Sequence, residues 1–213
     1  MNGFQDIRLS EFGDVISIKR GFPTQRATKE GEVPVMSIAD LRNQKVPRYF
    51  AGFEDMRDLR IDEGQPGDVL VSIEGGTVGE VLSVGPDVES FVPSQQVATL
   101  RVTRPDELDP WYLGAWLSSE TAQEQLRRLT RGSGIQRIAI KELGSLVLRV
   151  PPVEFQRQIG HRFVAFETSI RLHRDVAVCL QDLRDADLVV SFAGLNPDTN
   201  QPSIGRKRDQ HGG

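Results

Sequence analysis

Two periods divide the chain. Through residues 1–150 the apolar positions fall in short strand-like runs broken by Gly and Pro. Beyond Pro151-Pro152 they recur at helical spacing for about forty residues without a proline. The first region predicts strands at residues 15–19, 33–38, 96–102 and 146–150, with a helix start at Ser10 and a turn or short helix at residues 39–43. Its clearest unit is "GDVLVSIEGGTVGEVLSVG". There Val69, Val71 and Ile73 alternate, "EGGT" turns, and Val78, Val81, Leu82 and Val84 return. Gly75-Gly76 offers the positive φ that a tight hairpin needs.

One interval inside this region changes period. Trp111 or Tyr112, Ala115, Trp116, Thr121, Ala122 and Leu126 sit at helical spacing over residues 109–129, and Asp109-Pro110 is a helix-start signal. After the double proline, Ile159, Phe163, Phe166, Ile170, His173, Ala177 and Leu180 step by four and three, a heptad row. Leu172, Val176, Cys179 and Leu183 form a second row beside it. A helix over residues 152–192 would be roughly 60 Å long, with an apolar face too broad for solvent. It therefore needs a helical partner, here named as a helix interface of Ile159, Phe163, Phe166, Ile170, His173, Ala177 and Leu180. The expected fold class is α+β. A β-rich domain with a few short helices spans residues 1–150, one long coiled-coil-type helix spans 151–192, and the polar tail at 193–213 is expected to be disordered.

Composition narrows the setting. At 213 residues and 38% hydrophobic, the chain can bury a real core without disulfides. Its single cysteine, Cys179, excludes a disulfide framework or Cys-based metal cluster and reads as core. With no signal-peptide pattern and no run of membrane-spanning length, a soluble protein of the reducing cytoplasm is expected. A net charge of −4 and pI near 5.5 argue mildly against nucleic acid. The charge is uneven, however. Glu54, Asp55, Asp58, Asp62, Glu63 and Asp68 outnumber Arg57 and Arg60, whereas residues 127–141 carry Arg127, Arg128, Arg131, Arg137 and Lys141 with no acid. Local density, not the sum, sets a phosphate-binding field. On charge alone, a solvated helix face followed by a loop explains the basic run equally well.

Catalytic readings fail one by one. "EGGTVGE" has glycines but no following helix and no Lys-Ser/Thr pair, so it is no phosphate loop. His161 and His173 are twelve residues apart on a helix and His211 lies in the tail, so no metal site is expected. No nucleophile elbow supports a triad. "VPPV" invites comparison with the Asn/Asp-Pro-Pro-aromatic motif of adenine methyltransferases, which binds a flipped base. Val150 and Val153 occupy the polar and aromatic positions, so neither half of that chemistry is present. Pro151-Pro152 instead suits a first helical turn, where a missing N–H costs little.

The segments "LSEFGDV", "VPVMSIADLRN", "GDVLVSIEGGTVGEV", "DPWYLGAWLSSE", "GSGIQRIAIKELGSLVLRVPP" and "EFQRQI", in that order, resemble the specificity subunit of type I restriction–modification enzymes. The resemblance implies a target recognition domain reading one half of a split DNA sequence. It also implies a long helix that sets spacing and docks methyltransferase subunits. Phe155 departs from the family's Pro-Pro-x-x-Glu-Gln pattern, while Gln156 matches it. A full subunit has two recognition domains and two helical regions, and this chain has one of each, so it resembles a half subunit.

The partners implied are double-stranded DNA, adenine methyltransferase subunits, a restriction subunit, and either a second copy or a different specificity half. No membrane is involved. This chain is expected to bind no cofactor, and the partner subunits would use S-adenosylmethionine, ATP and magnesium. Candidate DNA contacts are the basic and polar loop residues Lys19, Arg20, Arg42, Asn43, Lys45, Arg48, Ser94, Gln95, Gln96, Arg131, Ser133, Gln136 and Arg137. Two other functions compete with this one: an interaction scaffold whose β-domain no longer reads DNA, and a stand-alone DNA-modifying enzyme.

Overall fold

The computed structural model describes residues 4–43 and 45–193. In chain order it places β1 (Gln5–Arg8), a 3-10 segment (Leu9–Val15), β2 (Ile16–Arg20), β3 (Val33–Met36), α1 (Ile38–Arg42), β4 (Phe50–Ala51), α2 (Phe53–Leu59), β5 (Val69–Ser72) and β6 (Val81–Ser83). There follow β7 (Val92–Pro93), β8 (Val97–Val102), α3 (Pro110–Leu117), α4 (Glu120–Leu129), α5 (Ile140–Leu143), β9 (Val147–Val150) and α6 (Val153–Ala193). This is the β-rich α+β architecture with a long C-terminal helix that the sequence predicts.

The central sheet is antiparallel in the order β2-β8-β5-β6, with Ile16 opposite Val102 and Ser72 opposite Val97. A smaller sheet, β4-β3-β7, joins an antiparallel and a parallel pair, and β1 pairs antiparallel with β9. Strand β5 is covered on both faces. Val69 and Val71 enter a core with Leu100, Leu113, Leu117 and Leu126, while Leu70 packs with Ile38, Phe91 and Val97 on the other side. A third cluster, Phe22, Val33, Val35, Ala51, Met56 and Val92, fills the space around the smaller sheet.

The β5–β6 connection is longer than the tight hairpin expected. Strand β5 ends at Ser72 and β6 begins at Val81, so the loop runs from Ile73 to Glu80, and Gly75 (φ 103) and Gly79 (φ 87) hold the positive-φ positions rather than Gly75-Gly76. The expected helix over 109–129 is two helices. Ser118 ends the first and Ser119 caps the second, its hydroxyl accepting from the Ala122 N–H at 3.4 Å. A serine that bonds backbone outside a helix competes with continuing the helix through it. Strands β1, β4 and β7 and helices α2 and α5 have no counterpart among the sequence expectations. They are short and carry little periodic signal.

The chain divides into two compact units, Met1–Glu167 and Thr168–Gly213. Within the first unit, the opening turns of α6 are fixed to the β-domain through one amide. The side chain of Gln156, 1% exposed, accepts from the Asp109 N–H at 2.9 Å and donates to the Pro151 carbonyl at 2.9 Å. Asp109 in turn caps α3, its carboxylate accepting from the Tyr112 N–H at 2.8 Å. Gly160 allows the approach, since a Cβ there would lie 2.5 Å from the Asp109 Oδ1 and 2.9 Å from the Trp111 Cβ. Thus Gln156, Gly160 and the half-buried Phe163 form the inward stripe of these turns.

In the second unit, the described residues of α6 leave Ile170, Leu172, Val176, Leu180, Leu183 and Phe192 exposed. Cys179, read from the sequence as core, is exposed as well. The tail expected at 193–213 lies outside the described residues apart from the backbone of Ala193.

Candidate nucleic-acid interface

The two ends of β5 carry different chemistry. Before its first residue, Asp68 is 1% exposed and receives both Nε (2.7 Å) and Nη2 (2.7 Å) of Arg101, while also accepting from the Gln65 N–H at 2.8 Å. The Asp68 hydrogen bonds hold Arg101 above its ordinary pKa, more than offsetting the burial that pulls the other way. The nearby Gly67, whose added Cβ would meet Pro110 at 3.3 Å, puts this end beside the α6 joint.

Beyond the last residue of β5 lies Glu74, on which distant segments converge. Its Oε2 accepts from Arg20 Nη2 at 2.9 Å and its Oε1 from Arg137 Nη2 at 2.9 Å. Arg20 is tethered a second time, Nε donating to the Gln95 carbonyl at 2.7 Å. The backbone repeats the connection: Gly75 N–H donates to the Gln136 carbonyl at 3.1 Å, and Ile73 N–H to the Gln96 carbonyl at 2.8 Å. Arg131 and Arg137 exchange backbone hydrogen bonds at 2.9 Å, closing the "RGSGIQR" loop, and Arg131 reaches Glu142 at 3.3 Å. With Ile138 and Ile140, these side chains line a recess of about 330 Å³.

So Arg20, Gln95, Gln96, Arg131, Gln136 and Arg137 of the candidate set are brought together, with Ser133 exposed on the same loop. The others are placed differently. Lys19 turns to Asp62 at 2.7 Å. Arg42 is half-buried, ion-paired with Glu80 and donating to the Val81 carbonyl at 3.1 Å, so it braces the other side of the β5–β6 loop. Asn43 closes α1 by donating to the Ala39 carbonyl at 2.7 Å, and Lys45 lies 3.7 Å from Asp40. Arg48 is exposed in the following loop, and Ser94 has a buried hydroxyl without a partner.

The basic run at 127–141 is therefore largely compensated. Arg127 and Arg128 both bond Glu124, at 2.7 and 3.2 Å, and the Arg127 contact foremost holds that carboxyl below its usual range. The sequence reading missed the acids. Glu74, Glu80 and Glu142 organise the arginines, and the one available signal was a glutamate placed directly before the double glycine. The helix candidates also divide: Phe163 is half-buried against α3, whereas Ile159, Phe166, Ile170, His173, Ala177 and Leu180 are exposed. His173 bonds the Ser169 carbonyl at 2.7 Å within its own helix. Among the described residues, no cluster of three metal-ligating side chains occurs, and no helix is long and apolar enough to cross a membrane.

Solved structures of type I restriction–modification proteins share this fold. The type I restriction–modification S subunit from M. genitalium superposes with a TM-score of 0.61 at 19% identity, covering 86% of this chain and 44% of that one. A chain from a structure on complex assembly and conformational transition of the type I R-M system gives 0.57 at 21%, covering 93% and 47%. The HsdS subunit from Thermoanaerobacter tengcongensis gives 0.54 at 20%, covering 82% and 40%. The chain thus spans less than half the length of each. No curated protein matches it. The family model for the type I restriction modification DNA specificity domain matches residues 1–177, and the chain belongs to that family.

Proposed function

We propose that this chain reads one half of a bipartite DNA target with the loop end of its β-domain, and that α6 docks the methyltransferase and restriction subunits. The observation that carries this reading is the convergence of Arg20 and Arg137, from segments far apart in sequence, on one loop of a specificity-family domain. The loops around them offer backbone amides, glutamines and guanidinium groups, the donor set that contacts phosphates and base edges. Arg20, Gln95, Gln96, Arg131, Ser133, Gln136 and Arg137 form the reading surface. Arg42, Asn43 and Lys45 shape its flank.

The chain acts in the cytoplasm as a non-catalytic subunit and binds no cofactor. S-adenosylmethionine, ATP and magnesium belong to its partners. The exposed apolar residues of α6 support pairing with a second copy or with a different specificity half. Reconstitution with an adenine methyltransferase subunit from the same genome tests the whole reading. The expected result is methylation of an interrupted motif, absent when either component is omitted. Methylation without sequence preference, or no DNA binding at low salt with the methyltransferase present, would overturn it.

A further inference from the structure

Glu74 is a carboxylate held between two arginines on the surface proposed to meet DNA. Its side chain is 20% exposed, while those of Arg20 and Arg137 are 52% and 61% exposed. The carboxylate thus lies beneath and the guanidinium groups stand above it. Each carboxylate oxygen holds a different arginine, so neither can turn without breaking a 2.9 Å bond. A guanidinium has five N–H donors, and these bonds leave donors on both arginines for a ligand.

Building on the proposed DNA-reading function, we propose that Glu74 is a positioning residue that sets specificity, fixing Arg20 and Arg137 in one orientation and screening them from indiscriminate phosphate contacts. A clamped pair of arginines meets only a duplex whose acceptors lie where the clamp aims them. Released, each arginine follows any phosphate within reach, in any register. The charge works in the same direction: two arginines and one glutamate leave a net of one positive charge, and removing the carboxylate leaves two. Non-specific affinity and its salt slope both follow the number of phosphates neutralised.

The test uses the full chain, with the methyltransferase subunit if binding needs it, and a random-sequence DNA duplex titrated across a salt series. Glu74→Gln keeps the side-chain shape and removes the charge. It should tighten random-duplex binding roughly three- to tenfold and steepen the dependence of log K on log salt by about one. Glu107→Gln serves as the charge control. Glu107 pairs with Arg104 at 2.8 Å, beyond the opposite end of β8, and its loss should leave both quantities unchanged. Glu74→Asp keeps the charge but cannot reach both arginines. It should hold the wild-type salt slope while lowering the ratio of target to random binding, the target being the motif methylated in the reconstituted system.

Random-duplex affinity and slope that stay at wild-type values in Glu74→Gln overturn the screening role. A target-to-random ratio unchanged in Glu74→Asp overturns the positioning role. Both results presuppose wild-type DNA binding. Its absence overturns the functional reading itself and is seen before any variant is compared.

Discussion

The two ends of β5 are held by opposite means. At the Asp68 end the bonds are buried: Asp68 and Gln156 are each 1% exposed and Asp109 is 8% exposed. At the Glu74 end the cations stand in solvent, with Arg20, Arg137 and Arg131 at 52%, 61% and 75% exposure. Buried polar groups are costly to orphan, so the first set fixes the geometry of the joint between β-domain and helix. Exposed ion pairs contribute little to folding and exchange partners readily. The second set adds little to folding but holds its guanidinium groups in solvent with donors to spare, so the molecule separates a rigid attachment from a surface whose charge can change at little cost in stability.

Breaking the buried end should cost most. Arg101→Met removes the only arginine bonded to the buried Asp68 carboxylate among the described residues, and urea denaturation should show a loss of about 4 kcal/mol. A loss under 1 kcal/mol would mean that water reaches Asp68 and that the contrast between the ends is overstated. Next is Gln156→Leu, which strands the Asp109 N–H and the Pro151 carbonyl and should cost about 2–3 kcal/mol. Protease cleavage near the Pro151-Pro152 joint should rise with it, whereas a stability change alone would point to packing rather than to the joint. At the other end, Arg131→Ala combined with Arg137→Ala should change stability by less than about 1 kcal/mol. The same double variant should bind DNA about tenfold or more weakly, with a salt slope reduced by about two. Wild-type DNA binding would remove this loop from the reading surface.

This contrast also marks what the sequence made legible. Helix starts with a local signal were readable: Asp109-Pro110 opens α3 and Pro151-Pro152 precedes α6, because capping depends on near neighbours. The strands of the central sheet were readable from runs of Val, Ile and Leu. The break at Ser119 was not, since Ala115, Ala122 and Leu126 keep a helical period across it. Nor were the acids of the loop end. Glu74 lies 54 residues from Arg20 and 63 from Arg137, and no periodicity encodes a pairing at such distance. The candidate list therefore found the arginines and missed what aims them. Gln156 shows the reverse case: its place in a recognised pattern was visible, but the bonds that give it a purpose reach back to Asp109.

The smallest expected effect tests whether the loop end is electrostatically weak throughout. Helix α1 starts with a reciprocal cap, in which the Ser37 hydroxyl accepts from the Asp40 N–H at 3.2 Å and the Asp40 carboxylate accepts from the Ser37 N–H at 3.1 Å. Burial pushes the Asp40 carboxyl up, but the Ser37 hydrogen bonds and the nearby Lys45 outweigh it and leave the pKa below its ordinary value. A carboxyl lowered by folding stabilises the fold fully above the ordinary carboxylate range, and that contribution is lost as pH falls through the folded value. Wild-type stability should therefore decline between about pH 5 and pH 3 by a few tenths of a kcal/mol more than that of Asp40→Asn. Parallel urea titrations by circular dichroism across that range measure the difference. A gap above about 2 kcal/mol would place α1 with the buried, structure-holding end of the molecule, and Arg42 would then count as part of the scaffold rather than the flank of a reading surface.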